Sequence, residues 1–399
     1  MKKIAVIATH PIQYQVPLWQ KMTADGINIE VWYFTDFGLK SNFDIEFGKT
    51  FSWDLPLLEG YKYRFLKVNE NASPNKGFKG ILLKENIKKL YKENNITHVY
   101  INGWLVGAYW QALWAAKSLG LITIFKGESN DLKPENKWKW PIKKFLLKKF
   151  FCRIDYFLYI GEANKRLYIK YGIPNKKLFP GLYCVDNHRF QQSTSELQNR
   201  KTQIRKKWGI PNNYICLLFS GKFIPKKRPL DIIQAVQEII KTQNNLHLLF
   251  VGDGELYEAI KARSNVIYNK EKGLVGPIKF NKVNISLTGF LNQTEIPQAY
   301  VAADALILPS DFGETWGLVV NEAMACGLSA IVSDQCGSSE DLIKPIDSNL
   351  IFKTGDIKGL QNSIFHFLEN PPAKEKIEEI INTYTFKSTT DSIIKILNK

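Results

Sequence analysis

The chain is predicted to fold as two doubly wound α/β domains in series, and three observations carry that prediction. Its 399 residues exceed the size at which a single hydrophobic core usually stops growing. Short apolar runs alternate with helical periodicity from residue 3 to about 183, and the alternation resumes from residue 215. Between the two series lies QQSTSELQNRKTQ at 191–203, polar and without a hydrophobic period, which reads as linker or exposed loop. The expected boundaries are a first domain over 1–185, a linker over 186–208 and a second domain from 209 to 375.

In the first half, candidate strands fall at 3–8, 29–34, 97–101, 121–125 and 156–160, with helical patterns such as 81–93 and 109–119 between them. The second series places strands at 215–219, 247–251, 285–287, 305–308 and 330–333. Continuous apolar runs of this kind suit parallel strands covered on both faces. Residues 268–280, with Gly273, Gly276 and Pro277, read as a loop insertion, and 375–397 return to helical character. Two such sheets offer their ligands a crevice at the carboxyl ends of the strands.

The first residues, Met1 to Pro11, carry an apolar run of only five before Thr9 and His10. They read as a buried strand rather than a signal peptide. No apolar run reaches membrane-spanning length. The five cysteines, Cys152, Cys184, Cys216, Cys326 and Cys336, are scattered and form no close-spaced ligand pair, so neither disulfides nor zinc are expected, and the location is expected to be cytoplasmic. The net charge of +16 points to anionic partners. Zinc-finger spacing and RNA-recognition signatures are missing, so nucleic acid is not an expected partner.

The most informative stretch is Asp311-Phe-Gly-Glu-Thr-Trp-Gly-Leu-Val-Val-Asn-Glu322. It follows the apolar run Ala305-Leu-Ile-Leu-Pro309 and leads into Ala323-Met-Ala-Cys-Gly327, helical and then stopped by glycine. A strand, a short loop and a helix N-terminus make a ready anion site, because the first helical amides lack partners. Glu314 and Glu322 would stand ~12 Å apart at ~1.5 Å rise per residue. That separation is too wide for a glycosidase pair, at about 5–9.5 Å, and suits two grips on one long ligand.

These residues resemble the E-x7-E signature of the retaining, nucleotide-sugar-dependent glycosyltransferases of group 1 (family 4). The resemblance implies the GT-B fold, two Rossmann-like domains facing across a cleft, with the first binding acceptor and the second binding donor. It also implies that the last helix, 376–399, crosses back onto the first domain. By the same resemblance Glu314 faces the donor sugar, Glu322 binds the ribose, and the backbone of Thr315, Trp316, Gly317 and Leu318 meets the diphosphate.

A second segment, Phe219-Ser-Gly-Lys-Phe-Ile-Pro-Lys-Lys-Arg-Pro-Leu-Asp231, also follows a strand and introduces a helix. The resemblance assigns Lys222 and Lys227 to the diphosphate, with Lys226 and Arg228 adjoining Lys227 so that the register can slip. Lysine acts on phosphate as a compact point charge, where arginine would supply a fork. Val251-Gly-Asp-Gly-Glu-Leu256 has Tyr257 at the third glycine of G-x-G-x-x-G, so Gly252 and Gly254 are assigned nucleotide contact on family grounds. Phe290, after Gly289, is placed either on the base or in the core.

No Asp-x-Asp pair occurs, so no metal and no cofactor are expected beyond the nucleotide-sugar substrate. In the first domain Thr9-His-Pro-Ile-Gln-Tyr14 stands where many relatives have a glycine-rich turn. Glu128 and Ser129 stand where a histidine is usual. His10, Asn102, Glu128 and Ser129 are the candidate acceptor or sugar contacts, His10 equally suiting a structural role.

The run Lys137-Trp-Lys-Trp-Pro-Ile-Lys-Lys-Phe-Leu-Leu-Lys-Lys-Phe-Phe-Cys-Arg153 is basic and aromatic without an acidic residue. On a helical wheel Lys144 and Lys148 oppose Leu146, Phe150 and Ile154, and Lys143 interrupts the apolar face. It fits either a packed surface helix or a peripheral contact with the anionic inner face of the cell membrane. The expected function is transfer of a sugar from a UDP- or GDP-sugar to a glycan or lipid-linked acceptor in cell-surface polysaccharide synthesis. The rivals are a sugar-nucleotide epimerase or hydrolase of the same fold, and a non-catalytic nucleotide-sugar-binding subunit.

Overall fold

The computed structural model describes residues 2–39, 42–44, 49–133 and 140–399, and the chain divides into two compact units. The first comprises Met1–Asn42, Phe51–Tyr183 and Thr385–Lys399; the second is built chiefly from Cys184–Tyr384.

The first unit holds β1 (Ile4–Ala8), α1 (Val16–Ala24) and β2 (Ile29–Tyr33); β3 (Asn42–Asp44) and β4 (Lys49–Phe51), which pair as a two-stranded sheet, consist mostly of residues grouped with the second unit. There follow β5 (Tyr63–Phe65), α2 (Ile87–Glu93), β6 (His98–Asn102), α3 (Gly107–Ser118) and β7 (Ile122–Lys126). The series ends with α4 (Trp140–Phe151), β8 (Tyr156–Tyr159), α5 (Glu162–Lys170) and β9 (Leu178–Pro180). Seven of these strands form one sheet in the order β5-β2-β1-β6-β7-β8-β9. All its pairings are parallel.

Alternate residues of each strand feed two cores, one on each face, as the two-residue period of a strand requires. Ala5, Ile7, Trp32, Val99, Ile101 and Phe125 join one core; Ile4, Val6, Val31, Tyr33, Tyr100 and Ile124 join the other. The expected helix over 81–93 begins only at Ile87. Asn86 caps it by accepting from the Lys89 N–H at 3.2 Å, and the residues before it bridge to the 67–69 segment through Leu82 and Lys84.

The second unit begins with α6 (Asn187–Gln198) and α7 (Lys201–Lys207), followed by β10 (Ile215–Ser220), α8 (Pro229–Ile239), β11 (Leu246–Val251) and α9 (Tyr257–Arg263). Next come β12 (Asn265–Asn269), β13 (Gly273–Leu274), β14 (Asn284–Gly289), α10 (Pro297–Ala302), β15 (Ala305–Leu308) and α11 (Leu318–Ala325). It closes with β16 (Ser329–Ser333), β17 (Ile351–Phe352), α12 (Ile357–Glu369) and α13 (Lys374–Ile381). The sheet order is β13-β12-β14-β11-β10-β15-β16-β17, parallel except for the β12–β13 hairpin. The chain thus winds outward from β10 in one direction and restarts at β15 on the other side, so the topological switch lies between β10 and β15. The last helix, α14 (Phe386–Leu397), belongs to the first unit, where Ile393 and Ile396 pack with Val16 and Trp19 of α1.

Three local expectations are corrected. The stretch read as a linker over 186–208 is helical: Asp186 caps α6, Phe190 is buried on Tyr300 at 6.1 Å, and Ile204 and Trp208 are buried. The region read as a loop insertion carries the β12–β13 hairpin instead, its strand held by Asn265, which donates to Asn284 Oδ1 at 2.8 Å and the Pro277 carbonyl at 2.9 Å. On α4 the buried residues are Leu147, Phe150 and Phe151, while Leu146 faces outward. Lys137 to Lys139, part of the basic run, lie outside the described residues.

Arg205 explains why α7 looked like solvent-exposed chain. Its buried guanidinium donates to the carbonyls of Ala302 (2.8 Å), Asn212 (3.2 Å) and Tyr214 (3.0 Å) and pairs with Asp304 at 2.6 Å. Asp304 in turn accepts from the Cys216 amide at the start of β10. Arg205→Met keeps the bulk and strands these acceptors, so it is expected to destabilise the second unit by ~2–3 kcal/mol. Urea denaturation followed by tryptophan fluorescence measures this, and an unchanged midpoint would refute the role.

Candidate active site

At the switch of the second sheet, the loop after β10 and the loop after β15 bring two charged side chains together. Lys227 forms an ion pair and hydrogen bond with Glu314 Oε2. Ser310, buried at the end of the β15 segment, donates to the same carboxylate oxygen at 3.1 Å. The Asp311 amide donates to the Lys226 carbonyl at 2.8 Å, so backbone as well as charge ties the two loops. Ser333, at the end of β16, fixes Ser310 by donating to its carbonyl. Burial pushes the Glu314 carboxyl up, but Lys227, Ser310 and then Lys226 outweigh it, leaving the group below the ordinary carboxylate range.

Glu322 lies in α11 and has the opposite environment. It accepts from the Tyr300 hydroxyl at 2.5 Å. Burial raises its carboxyl above the usual range against the opposing pull of Tyr300, Arg189 and Gln293. Arg189, from α6, is itself clasped to Gln293, donating to its carbonyl at 2.7 Å and its Oε1 at 2.6 Å. Arg189, Gln293, Tyr300 and Ser310 escaped the sequence reading. They reach the site from separate segments, and only Ser310 adjoins the motif.

The loop from Gly313 to Gly317 is shaped by close packing. A Cβ on Gly317, whose φ is +93°, would stand 2.8 Å from both Cys336 Sγ and Leu308 Cδ2. The Ser338 amide and Cys336 Sγ both donate to the Trp316 carbonyl, at 3.0 Å each. The Trp316 side chain is buried, donating to Asn321 Oδ1 at 2.7 Å and lying against Tyr384, so its indole is structural; Thr315 is exposed. Gly317 precedes α11 without a side-chain cap, which leaves the first amides of the helix, Leu318 onward, to find partners outside it.

Gly252 and Gly254 have a packing duty that the sequence reading missed. A Cβ on Gly252 would come within 2.0 Å of the Gly221 carbonyl oxygen, and one on Gly254 within 2.8 Å of the Phe223 carbonyl oxygen. The loop after β11 is therefore meshed directly onto the loop that carries Lys222 and Lys227, with Phe223 N–H donating to the Asp253 carbonyl at 2.8 Å. Beyond it lies a cavity of about 480 Å³ lined by Asp253, Tyr257, Asn269, Lys270, Leu287 and Gly289. Lys270 donates to the carbonyl of the half-buried Phe290 at 3.1 Å, tying that residue to the β12–β13 hairpin.

In the first unit, Asn102, Glu128 and Ser129 follow or end β6 and β7 at the carboxyl edge of the sheet, and His10 follows β1 there. Tyr183 donates to Glu128 at 2.6 Å, and Lys126 sits over the Tyr183 ring at 5.5 Å. Burial raises the Glu128 carboxyl despite Tyr183 and Lys126. Asn102 donates to Gln15 Oε1 at 2.8 Å, and Ser129 Oγ accepts from Trp104 at 3.4 Å. His10 stands edge-on to Phe37 at 5.2 Å, its buried Nδ1 has no hydrogen-bond partner, and burial lowers its pKa to about 4, so it is neutral near pH 7. Among the described residues no group of three or more His, Cys, Asp or Glu side chains is arranged to hold a metal ion.

Residues 200–383 match the model of the family described as glycosyl transferases group 1. This part of the chain is similar to the group 1 glycosyl transferases. The match takes in Lys222, Lys227, Glu314 and Glu322, and starts inside the segment that had been read as a linker. Among curated relatives, the chain is 24% identical over 226 residues to spore coat protein SA of Bacillus subtilis (strain 168), covering 56% of this chain and 54% of that protein. It is 24% identical over 232 residues to the GDP-mannose-dependent monoacylated alpha-(1-6)-phosphatidylinositol monomannoside mannosyltransferase of Corynebacterium glutamicum, covering 56% of each. The chain thus spans about half the length of these relatives. Among solved structures, Anabaena HepE in complex with UDP and glucose is similar over the whole of both chains, at a TM-score of 0.66 and 15% identity. That likeness covers both units and gives the fold as GT-B, two parallel-sheet Rossmann-like domains.

The lowered pKa of Glu314 carries a pH signature. A depressed carboxylate contributes stability that is fully present above its unfolded value, about 4.3, and lost as pH falls through the folded value. Glu314→Gln removes that contribution. The variant is therefore expected to lose less thermal stability than the parent between about pH 5 and pH 3. Parallel acid limbs in thermal melts would show that the pair holds no such energy.

Proposed function

We propose that the chain is a glycosyltransferase moving a sugar from a UDP- or GDP-sugar to a glycan or lipid-linked acceptor, with retention at the anomeric carbon and without a metal. The observation that carries this reading is the Lys227–Glu314–Ser310 cluster at the switch of the second sheet, within the region matched by the group 1 family. Supporting it, a relative is named a GDP-mannose-dependent mannosyltransferase, and a structural neighbour was solved with UDP and glucose.

In this reading the donor diphosphate lies against Lys222, Lys227 and the amides that open α11, where the end of the helix dipole favours negative charge. As the bond to the anomeric carbon breaks, charge grows on the diphosphate, and cations already in place stabilise it in the transition state. The lysines thus take the part that a metal clamp plays in other transferases. Glu322, held by Tyr300, grips the ribose. Glu314 stands by the sugar, where positive charge develops. The acceptor is held in the first unit by groups among His10, Asn102, Glu128 and Ser129, at the inner face of the cell membrane in polysaccharide synthesis.

A thermal-shift panel of nucleotide sugars tests the donor assignment. A UDP- or GDP-sugar at a hundred times its Kd should stabilise the protein by roughly 2.7 kcal/mol. Glu322→Ala and Lys222→Ala should each weaken that ligand by roughly 10–100-fold, the loss expected for a hydrogen bond to a charged group. Lys227→Ala should lower turnover by about 10²–10³-fold. Unaltered donor affinity in both binding variants would reject the pocket.

A further inference from the structure

Helix α4 is anchored to the first unit by one face and leaves an apolar stripe on the other. Leu147, Phe150 and Phe151 are buried, and Phe150 packs at 4.9 Å on Trp110 and 5.6 Å on Phe125. The outward face shows Ile142 at 67% exposure, Phe145 at 66% and Leu146 at 45%. Core packing does not account for these three, because the helix already has its buried stripe. Among them lie the exposed lysines Lys143, Lys148 and Lys149, and the helix through Arg153 contains no acidic residue.

We propose that this outward face, Ile142, Phe145 and Leu146 set among Lys143, Lys148 and Lys149, docks on an anionic lipid surface. Charge complementarity selects the occupant. Apolar side chains enter the boundary between headgroups and acyl chains while lysine heads stay with the lipid phosphates. Each such lysine raises partition onto an anionic leaflet roughly fivefold. A nucleic acid would match the lysines and leave the aliphatic Ile142 and Leu146 without use, so a bilayer fits the whole surface better.

The position of the face gives docking a purpose. Lys143 lies over the Trp104 ring at 5.5 Å, Trp104 donates to Ser129, and Leu105, which follows, is 54% exposed. The first turns of α4 therefore border the carboxyl edge of the sheet that carries Asn102 and Glu128. Docking there would bring the acceptor contacts to the headgroup plane; that purpose, though not the docking, rests on the proposed lipid-linked acceptor.

The test is co-sedimentation of the full chain with vesicles of phosphatidylglycerol and phosphatidylcholine, and of phosphatidylcholine alone, at low and physiological salt. Binding to the anionic vesicles only, weakened by salt, is expected. Ile142→Ser/Phe145→Ser/Leu146→Ser should reduce it at least tenfold, and Lys148→Gln/Lys149→Gln about tenfold or more. Failure of the parent protein to pellet with anionic vesicles at low salt would overturn the proposal, as would pelleting unchanged in both variants. So would a parent dimer in sedimentation velocity that the triple variant dissolves, or a salt-sensitive shift with a single-stranded oligonucleotide in place of vesicle binding. Nucleotide-sugar thermal shifts measured on the same samples separate the two readings. Retained donor binding without pelleting sinks only the docking face, and lost donor stabilisation in the parent sinks only the transferase reading.

Discussion

Burying a charge away from water is costly unless a partner stands beside it, and at the switch of the second sheet that constraint is met by the contact between Lys227 and Glu314. The surrounding geometry serves that contact. Ser333 holds Ser310, Ser310 holds the carboxylate, and the Asp311 amide holds the backbone of Lys226. Gly252 and Gly254 let the loop after β11 close against the lysine-bearing loop, and Gly317 lets the glutamate-bearing loop close against Cys336. A salt bridge of this kind is weak evidence for stability. Three loops of a parallel sheet shaped around it make a better case for a site held ready.

The two glutamates of the motif illustrate how environment divides chemically identical groups. Glu314 and Glu322 are both shielded from water, yet one carboxyl is pulled down by an ammonium and the other is pushed up by burial beside a phenol. Environments that separate titratable groups in this way are a mark of separate tasks. A carboxylate kept anionic suits a place where positive charge will appear. A carboxyl held by Tyr300 and flanked by Arg189 suits a hydrogen-bonding grip.

Much of this was legible in the sequence because parallel strands are written as unbroken apolar runs; Ile-Ala-Val-Ile-Ala in β1 and Ile-Cys-Leu-Leu-Phe-Ser in β10 are buried almost throughout. The positions of Lys227 and Glu314 after such strands could be read for the same reason. Helices α6 and α7 could not, because Phe190, Ile204 and Trp208 are too widely spaced to show a period, and Arg205 is buried only by virtue of carbonyls contributed from the chain beyond it. The clasp around Glu322 was hidden likewise, since Arg189, Gln293 and Tyr300 are neighbours in space alone. On α4 the wheel assigned Leu146 inward, whereas tertiary packing selected Leu147 with Phe150 and Phe151, a rotation of one residue that spacing does not settle.

The choice of lysine at 227 has a consequence for the proposed reaction. An arginine fork would hold Glu314 through two parallel hydrogen bonds, whereas a single ammonium on a flexible stem is readily drawn toward a stronger anion. A diphosphate arriving beside Lys227 competes with Glu314 for that charge, with Lys222 adding to the pull. The carboxylate then keeps Ser310 and loses much of its electrostatic support while remaining shielded from water. That support returns as the departing diphosphate leaves positive charge on the sugar. In the proposed reaction the interaction would therefore be stronger in the transition state than in the ground state, which is the condition under which binding energy accelerates a chemical step.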